Sequence, residues 1–298
     1  MNFADRLTDT IKRNNSILCA GIDPVIERLP AFITESVKKE KTDSESIKKA
    51  LLDFYLPALE ALSASIACIK PNIAFFEQYG ISGLLALKEI MGRARALELP
   101  VILDAKRGDI GHTAGAYARA YLDPENFSAD FSADALTVNP FLGFDTLKPF
   151  IEACSKSGRG IFILVKTSNP GSGDIQDVQE GEKSLSEKIA GWIGEHAGRL
   201  AGSSGLSGLG AVVGATYPEE AKRLRELMPQ SYFLIPGLGA QGGSGKDALA
   251  GLTTDGRGAV VNASRGLFAG FSDGISSRET LIEEILKRAK KFNNALSV

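Results

Sequence analysis

Several residue types are scarce in this sequence of 298 residues, and each scarcity argues against a class of protein. The three cysteines, Cys19, Cys68 and Cys154, are odd in number and far apart, which does not fit the framework of a disulfide-rich secreted domain. The two histidines, His112 and His196, have no neighbours at a zinc-ligand spacing. No nucleophile motif pairs a Ser or Cys with a histidine base, which argues against covalent acyl chemistry.

The chain also lacks an excess of either charge and any long apolar run. Lys and Arg number 34 against 36 Asp and Glu, so no broad positive field is present to hold nucleic acid or an anionic membrane. No apolar run approaches the roughly 18 residues of a membrane span, and residues 1–9 lack the apolar core of a signal peptide. We therefore expect a soluble, cytoplasmic protein that binds neither nucleic acid nor membrane.

What the sequence does contain is a regular alternation of two patterns. Short β-rich apolar runs lie at 16–22, 65–70, 100–103, 135–138, 160–165, 210–213, 232–235 and 258–261. Helical spacing lies between them, at 44–62, 83–97, 184–200, 218–227 and 278–295. Such alternation is typical of right-handed βαβ units, and eight parallel strands are the number that closes a barrel. The pattern predicts an α/β fold, a single (β/α)8 TIM barrel over residues 1–298, with an open doubly wound sheet as the alternative.

The active site of such a barrel lies at the carboxyl ends of the strands, where this sequence concentrates charge. The first strand ends at Asp23, the second at Lys70, and the third runs into Asp104, Lys106 and Asp109. Asp104 and Lys106 are two residues apart, so in an extended strand they point to the same face. A carboxylate and an ammonium that meet there hold each other charged and supply a positioned proton donor. A solvated, charged turn is the alternative interpretation.

Two loops after the last predicted strands indicate a phosphate site. The segment 236–245 contains Gly-x-Gly-x-x-Gly, but the next strand ends in Asn-Ala-Ser-Arg-Gly at 262–266 and lacks the acidic residue of a dinucleotide-binding unit. Backbone amides of glycine-rich loops approach anions closely, and the Arg265 guanidinium can clamp one. Barrels frequently bind phosphate between the loops after strands seven and eight. Glycine-rich loops without a ligand are the alternative.

These motifs together resemble the orotidine 5'-phosphate decarboxylase family. Residues 103–113, Leu-Asp-Ala-Lys-Arg-Gly-Asp-Ile-Gly-His-Thr, contain the Asp-x-Lys-x-x-Asp signature of that family and of its wider suprafamily. Three further matches are Gly-Ile-Asp-Pro at 21–24, Lys-Pro-Asn at 70–72, and the two loops at 236–243 and 262–266. The resemblance spans about residues 16 to 268 and is to the longer bacterial branch, with 34–46 and 122–134 expected as surface additions.

The resemblance implies that orotidine 5'-phosphate is decarboxylated to UMP in pyrimidine biosynthesis, without cofactor or metal, by a homodimer. Lys106 would stabilise and protonate a C6 carbanion as part of a charged tetrad, and Asp109 and Thr113 would reach into the neighbouring subunit's site. The implied residues are Lys70, Asp104, Lys106 and Asp109 for the tetrad, Asp23 and Lys70 for the ribose, Ser168 for the pyrimidine, and Gln241 and Arg265 for the phosphate.

Two other functions stay open on the sequence alone. Metal-dependent decarboxylases or aldolases of sugar phosphates share Asp-x-Lys-x-x-Asp, but they present a metal-binding Glu where Lys70 stands here. The second alternative is a noncatalytic barrel that only binds a phosphorylated nucleotide.

Overall fold

A computed structural model describes residues 1–39, 44–126, 129–214, 218–237, 245–272 and 274–297. In this part of the chain, parallel strands form an eight-stranded sheet. The strands are β1 Leu18–Ile22, β2 Cys68–Pro71, β3 Ile102–Arg107, β4 Ala135–Val138, β5 Gly160–Lys166, β6 Ser207–Val213, β7 Ser231–Ile235 and β8 Ala259–Ala263. A separate antiparallel hairpin pairs Gln179–Glu180 with Lys183–Ser184.

The order of the strands in the sheet identifies a barrel. It runs β2-β1-β8-β7-β6-β5-β4-β3, so strands that are consecutive in the chain are neighbours in space. Parallel bridges from Ile69 to Val101 and from Asn72 to Asp104 join the remaining pair, β2 and β3. The predicted (β/α)8 barrel is therefore confirmed, and the open doubly wound alternative is wrong, because its strand order would reverse within the sheet.

Helices precede, connect and follow the strands along the chain. They are α1 Phe3–Asn14, α2 Ala31–Lys39, α3 Ser44–Leu62, α4 Ala74–Glu77, α5 Gly80–Ala96, α6 Gly111–Leu122, α7 Lys148–Ser157, α8 Gly173–Gln176, α9 Leu185–His196, α10 Pro218–Leu227, α11 Gly245–Leu249, α12 Arg265–Phe268 and α13 Arg278–Ala295. None of these helices, within the described ranges, is long and apolar enough to cross a membrane.

The two segments expected as surface additions differ from each other. Where it is described, the segment 34–46 is helical, because it contains the end of α2 and the start of α3. The segment 122–134 follows α6 and is anchored to α5 by an ion pair of 2.8 Å between Lys88 and Asp130. The described residues 129–134 therefore pack on the barrel rather than extending away from it.

Helix α1 closes the amino end of the barrel. Phe3 packs edge-to-face on Phe162 inside the barrel, with ring centroids 5.9 Å apart. Only glycine fits beside it, because a Cβ on Gly160 would lie 2.4 Å from the Phe3 ring. Arg6 and Arg13 of the same helix bind Asp134 and Glu98, which precede β4 and β3. The barrel interior is thus sealed at this end, and its opening lies at the carboxyl ends of the strands.

Candidate active site

A compact cluster of charges lies at the carboxyl ends of β2 and β3. Lys70 Nζ donates a hydrogen bond of 2.8 Å to Asp104 Oδ2, and Lys106 Nζ donates one of 2.6 Å to Asp104 Oδ1. Lys70 and Asp104 are buried, with 7% and 10% of their side chains exposed, whereas 48% of the Lys106 side chain is exposed. The Lys70 ammonium therefore faces the interior of the cluster, whereas the Lys106 ammonium is accessible from the mouth of the barrel.

A bulge in β3 brings these groups together. Three residues of β3, 104–106, lie opposite the single residue Thr137 of β4. Lys106 has a left-handed backbone, with φ +48°, so this stretch is not the extended strand that the sequence argument assumed. The predicted meeting of Asp104 and Lys106 does occur, but the expected cause is wrong, since the bulge and not simple alternation directs the two side chains.

The charges in the cluster shift the pKa values of its buried members. Burial raises the pKa of Asp104, but the neighbouring Lys70 and Lys106 ammonium groups outweigh it and hold that pKa well below its usual range. Burial lowers the pKa of Lys70, but the Asp104 and Asp23 carboxylates outweigh it and raise that pKa above its usual value. The pair is therefore held ionised over the whole physiological pH range.

A cavity of about 370 Å³ opens at the ends of β1 and β8. It borders the cluster through Asp23, whose carboxylate lies close enough to Lys70 to raise the pKa of that lysine. Its lining includes the predicted residues Asp23 and Arg265, together with the aromatic side chains of Tyr55 and Phe75. Asp23 Oδ1 is buried and receives no hydrogen bond from the residues that the structure describes. A buried carboxylate oxygen without a donor is costly, so this atom is suited to accept a hydrogen bond from a ligand hydroxyl.

Arg28 is a cavity residue that the sequence reasoning missed. It lines the same cavity as Arg265, and among the described ranges neither guanidinium forms an ion pair. Two exposed arginines without ion pairs in the lining of one cavity favour an anionic ligand. The sequence did contain a signal for Arg28: it is a cationic residue in the loop that follows β1, five residues after Asp23.

Asp109 and Thr113 form no hydrogen bond or ion pair with the cluster in the part of the chain that the structure describes. Asp109 Oδ1 accepts a hydrogen bond of 2.7 Å from the backbone of Ile110, and no ion pair joins it to a lysine of the described cluster. Thr113 is exposed in the first turn of α6. Ile110 itself is 63% exposed, and Phe141 and Leu142 after β4 are 74% and 51% exposed. Within one chain, therefore, three of the four predicted tetrad residues come together.

The remaining predicted residues lie on the loops after β5 and β7. Ser168 is half-buried two residues beyond β5, and Gln241 lies outside the described residues. The β5 end is fixed by Lys166, which the sequence analysis did not single out. Lys166 forms ion pairs with Asp177 and with Glu220, the latter at 3.1 Å, and so ties the Ser168 loop to α10.

Fold and site together define a class: a (β/α)8-barrel enzyme with an ionised lysine-carboxylate-lysine cluster beside an arginine-lined cavity. The family model described as "Orotidine 5'-phosphate decarboxylase / HUMPS family" matches residues 18–270. This chain belongs to that family.

Individual relatives agree with the family. The orotidine 5'-phosphate decarboxylase of Rhodopirellula baltica is 44% identical over 266 residues, which are 89% of this chain and 87% of that protein. The solved structure of Leishmania donovani OMP decarboxylase has 33% identity and a TM-score of 0.70, covering 99% of this chain and 100% of that one. The solved structure of Leishmania donovani UMP synthase has 35% identity and a TM-score of 0.73. That match covers 100% of this chain and 57% of the other chain.

Proposed function

We propose that this protein converts orotidine 5'-phosphate to UMP and carbon dioxide, as a step of pyrimidine biosynthesis. The observation that carries the proposal is the ion-paired cluster of Lys70, Asp104 and Lys106 beside the arginine-lined cavity. The names of relatives that cover nearly the whole chain support the same reaction.

The difficulty of this reaction is a carbanion that no cofactor delocalises. The bond between C6 and the carboxylate breaks, carbon dioxide leaves, and the electron pair stays on C6. Lys106 is the accessible ammonium of the cluster, so it is suited to stabilise that anion through preorganised charge. The same ammonium then gives its proton to C6 as a general acid, which completes UMP.

The other cluster residues support this step. Asp104 holds Lys106 in place, and its negative charge lies close to the departing carboxylate in this assignment. Asp23 and Lys70 are assigned to the ribose hydroxyls, which fits the unpaired carboxylate oxygen of Asp23. Arg265 and Gln241 are assigned to the phosphate, and Ser168 to the pyrimidine ring. Binding energy from the phosphate then helps to hold the ring against Lys106.

We further infer a homodimer in which Asp109 and Thr113 complete the partner's site. Neither residue is bonded to the cluster of its own chain, and exposed apolar side chains follow the same two strands: Ile110 after β3, and Phe141 and Leu142 after β4. Exposed apolar side chains after two neighbouring strands favour an interface at this rim of the barrel. The chain's three cysteines are buried and unpaired, which supports a reducing, cytoplasmic location.

A direct test is the release of carbon dioxide from orotidine 5'-phosphate, with and without a chelator. We expect full activity after exhaustive chelation, because Lys70 stands at the strand end where the metal-dependent sugar-phosphate enzymes place a metal ligand. A requirement for added magnesium would favour those enzymes instead. Binding of UMP without carbon dioxide release would indicate the noncatalytic barrel.

A further inference from the structure

Thr137 of β4 is buried against the bulge of β3, and its hydroxyl uses its whole hydrogen-bonding capacity there. Its oxygen accepts hydrogen bonds from the backbone amides of Ala105, at 3.0 Å, and of Lys106, at 2.9 Å. Its proton is donated to Asp104 Oδ1 at 2.9 Å. A hydroxyl has one donor and two acceptor positions, and all three are occupied by residues of the cluster.

These contacts fix the direction of every hydrogen bond. Backbone amides can only donate, so the hydroxyl proton of Thr137 is left for Asp104 alone. Asp104 Oδ1 must then accept, which suits its ionised form, and it also accepts from Lys106. The hydroxyl therefore binds both the backbone that carries Lys106 and the carboxylate that holds the ammonium of Lys106.

The bulge explains why such a residue is needed. Residues 104–106 oppose one residue of β4, so the amides of Ala105 and Lys106 cannot all find carbonyl partners in the neighbouring strand. The left-handed backbone of Lys106 is a conformation that costs free energy unless its surroundings hold it in place. Thr137 supplies an acceptor to both amides at the point where the strand departs from regular pairing.

We propose that Thr137 is a positioning residue that sets the orientation of Asp104 and Lys106 for proton transfer to substrate. This inference rests on the proposed decarboxylation. Thr137 acts through these two residues and is not assigned a contact with substrate. Its loss should therefore affect the chemical step more than substrate binding.

The test compares Thr137→Val, which keeps the shape and removes the hydroxyl, with Thr137→Ser, which keeps the hydroxyl. We expect Thr137→Val to lower kcat roughly 10- to 100-fold while KM for orotidine 5'-phosphate changes by about threefold or less. Thr137→Ser should stay within about fivefold of the wild type, because it restores all three hydrogen bonds. Thr137→Ala, which also lacks the hydroxyl, replaces Thr137→Val if the latter does not fold.

Thr8→Val is the matched control. Thr8 is also a buried threonine, but its hydroxyl contacts Tyr232 at 2.7 Å on the closed end of the barrel. Its loss should lower Tm while leaving kcat at 25 °C unchanged. Equal losses of kcat in Thr137→Ser and Thr137→Val, or wild-type kcat in Thr137→Val, would overturn the inference. An inactive wild type would instead overturn the proposed reaction.

Discussion

Lys70 and Asp104 form a buried ion pair of 2.8 Å in which both groups depend on each other for their charge. Asp104→Asn leaves the Lys70 ammonium buried with Asp23 as its remaining carboxylate neighbour. We expect the variant to lose about 3–5 kcal/mol of unfolding free energy at pH 7, the usual cost of removing one partner of a buried pair. Thermal or urea unfolding measures this loss.

The unfolding free energy that Asp104→Asn loses relative to the wild type should become smaller as the pH rises toward 10. Without Asp104, burial lowers the pKa of Lys70 in the folded variant below its value in the unfolded chain, about 10.4. The unfolded chain then binds more protons, so the stability of the variant increases with pH. In the wild type the pKa of Lys70 is raised, and its contribution is lost only above about pH 10.4.

Asp134→Asn is the control for this pH dependence. Asp134 pairs with Arg6 and Arg159, and arginine, unlike lysine, is not a side chain that titrates in this pH range in proteins. Asp134→Asn should lower the free energy of unfolding by an amount that does not diminish between pH 7 and 10. A constant difference between the wild type and Asp104→Asn over the same range would contradict the assigned Lys70 titration.

Lys106 carries the chemical step in our proposal, so Lys106→Ala should lower kcat by at least about 10² to 10⁴, the range of a lost general acid. UMP binding should persist, because the cavity residues are unchanged, and titration calorimetry measures it. Lys156→Ala, an exposed lysine on α7, should behave as the wild type.

The same lysine distinguishes noncovalent chemistry from a Schiff base. Borohydride added during turnover should trap no adduct, since Lys106 acts here as an ammonium and not as a nucleophile. Mass spectrometry of the treated protein provides the measurement. A substrate adduct on Lys106 would reject the proposed mechanism.

Arg265 is expected to bind the phosphate far from the bond that breaks. Arg265→Ala should lower kcat/KM for orotidine 5'-phosphate. The loss should correspond to about 3 kcal/mol of transition-state binding free energy, the scale of lost charge-assisted hydrogen bonds. Activity toward orotidine, which lacks the phosphate, should hardly change. Arg28→Ala removes the other cation of the cavity and should give a smaller loss, again only with the phosphorylated substrate. An equal loss with both substrates would mean that Arg265 supports the fold instead.

Subunit mixing tests the placement of Asp109. Lys106→Ala and Asp109→Ala chains should each be inactive alone, but a mixed dimer has one site with both residues intact. With random pairing about half of the dimers are mixed, so roughly a quarter of wild-type activity should return. No recovery, despite subunit exchange shown by native mass spectrometry, would place Asp109 in its own chain's site.

Much of the fold could be predicted because its signals are local. Apolar β-rich runs and helical spacing follow one another along the chain, and this alternation leaves few possible topologies. Strand ends were less well predicted, since β3 continues through the charged motif to Arg107 and β6 begins at Ser207. The reason is that pairing with neighbouring strands, not local composition, decides where a strand ends.

The site was predictable where its residues follow strands and carry charge. Lys70 meets Asp104 because parallel strands end at the same rim of a barrel, and Lys106 follows Asp104 in the same charged motif. The bulge was not predictable, because it depends on the register between β3 and β4. Thr137 gave no signal either, since a threonine in a β-rich run is ordinary strand composition.

The sequence by itself determined the alternation that makes a barrel and the charged residues at its rim. Only the tertiary structure decided how these residues interact. Thr137 reaches Asp104 from a strand 33 positions away, and Arg28 shares a cavity with Arg265 at the other end of the chain. Periodicity and charge are properties of a short segment, whereas hydrogen-bond geometry and burial depend on segments that the closed sheet brings together.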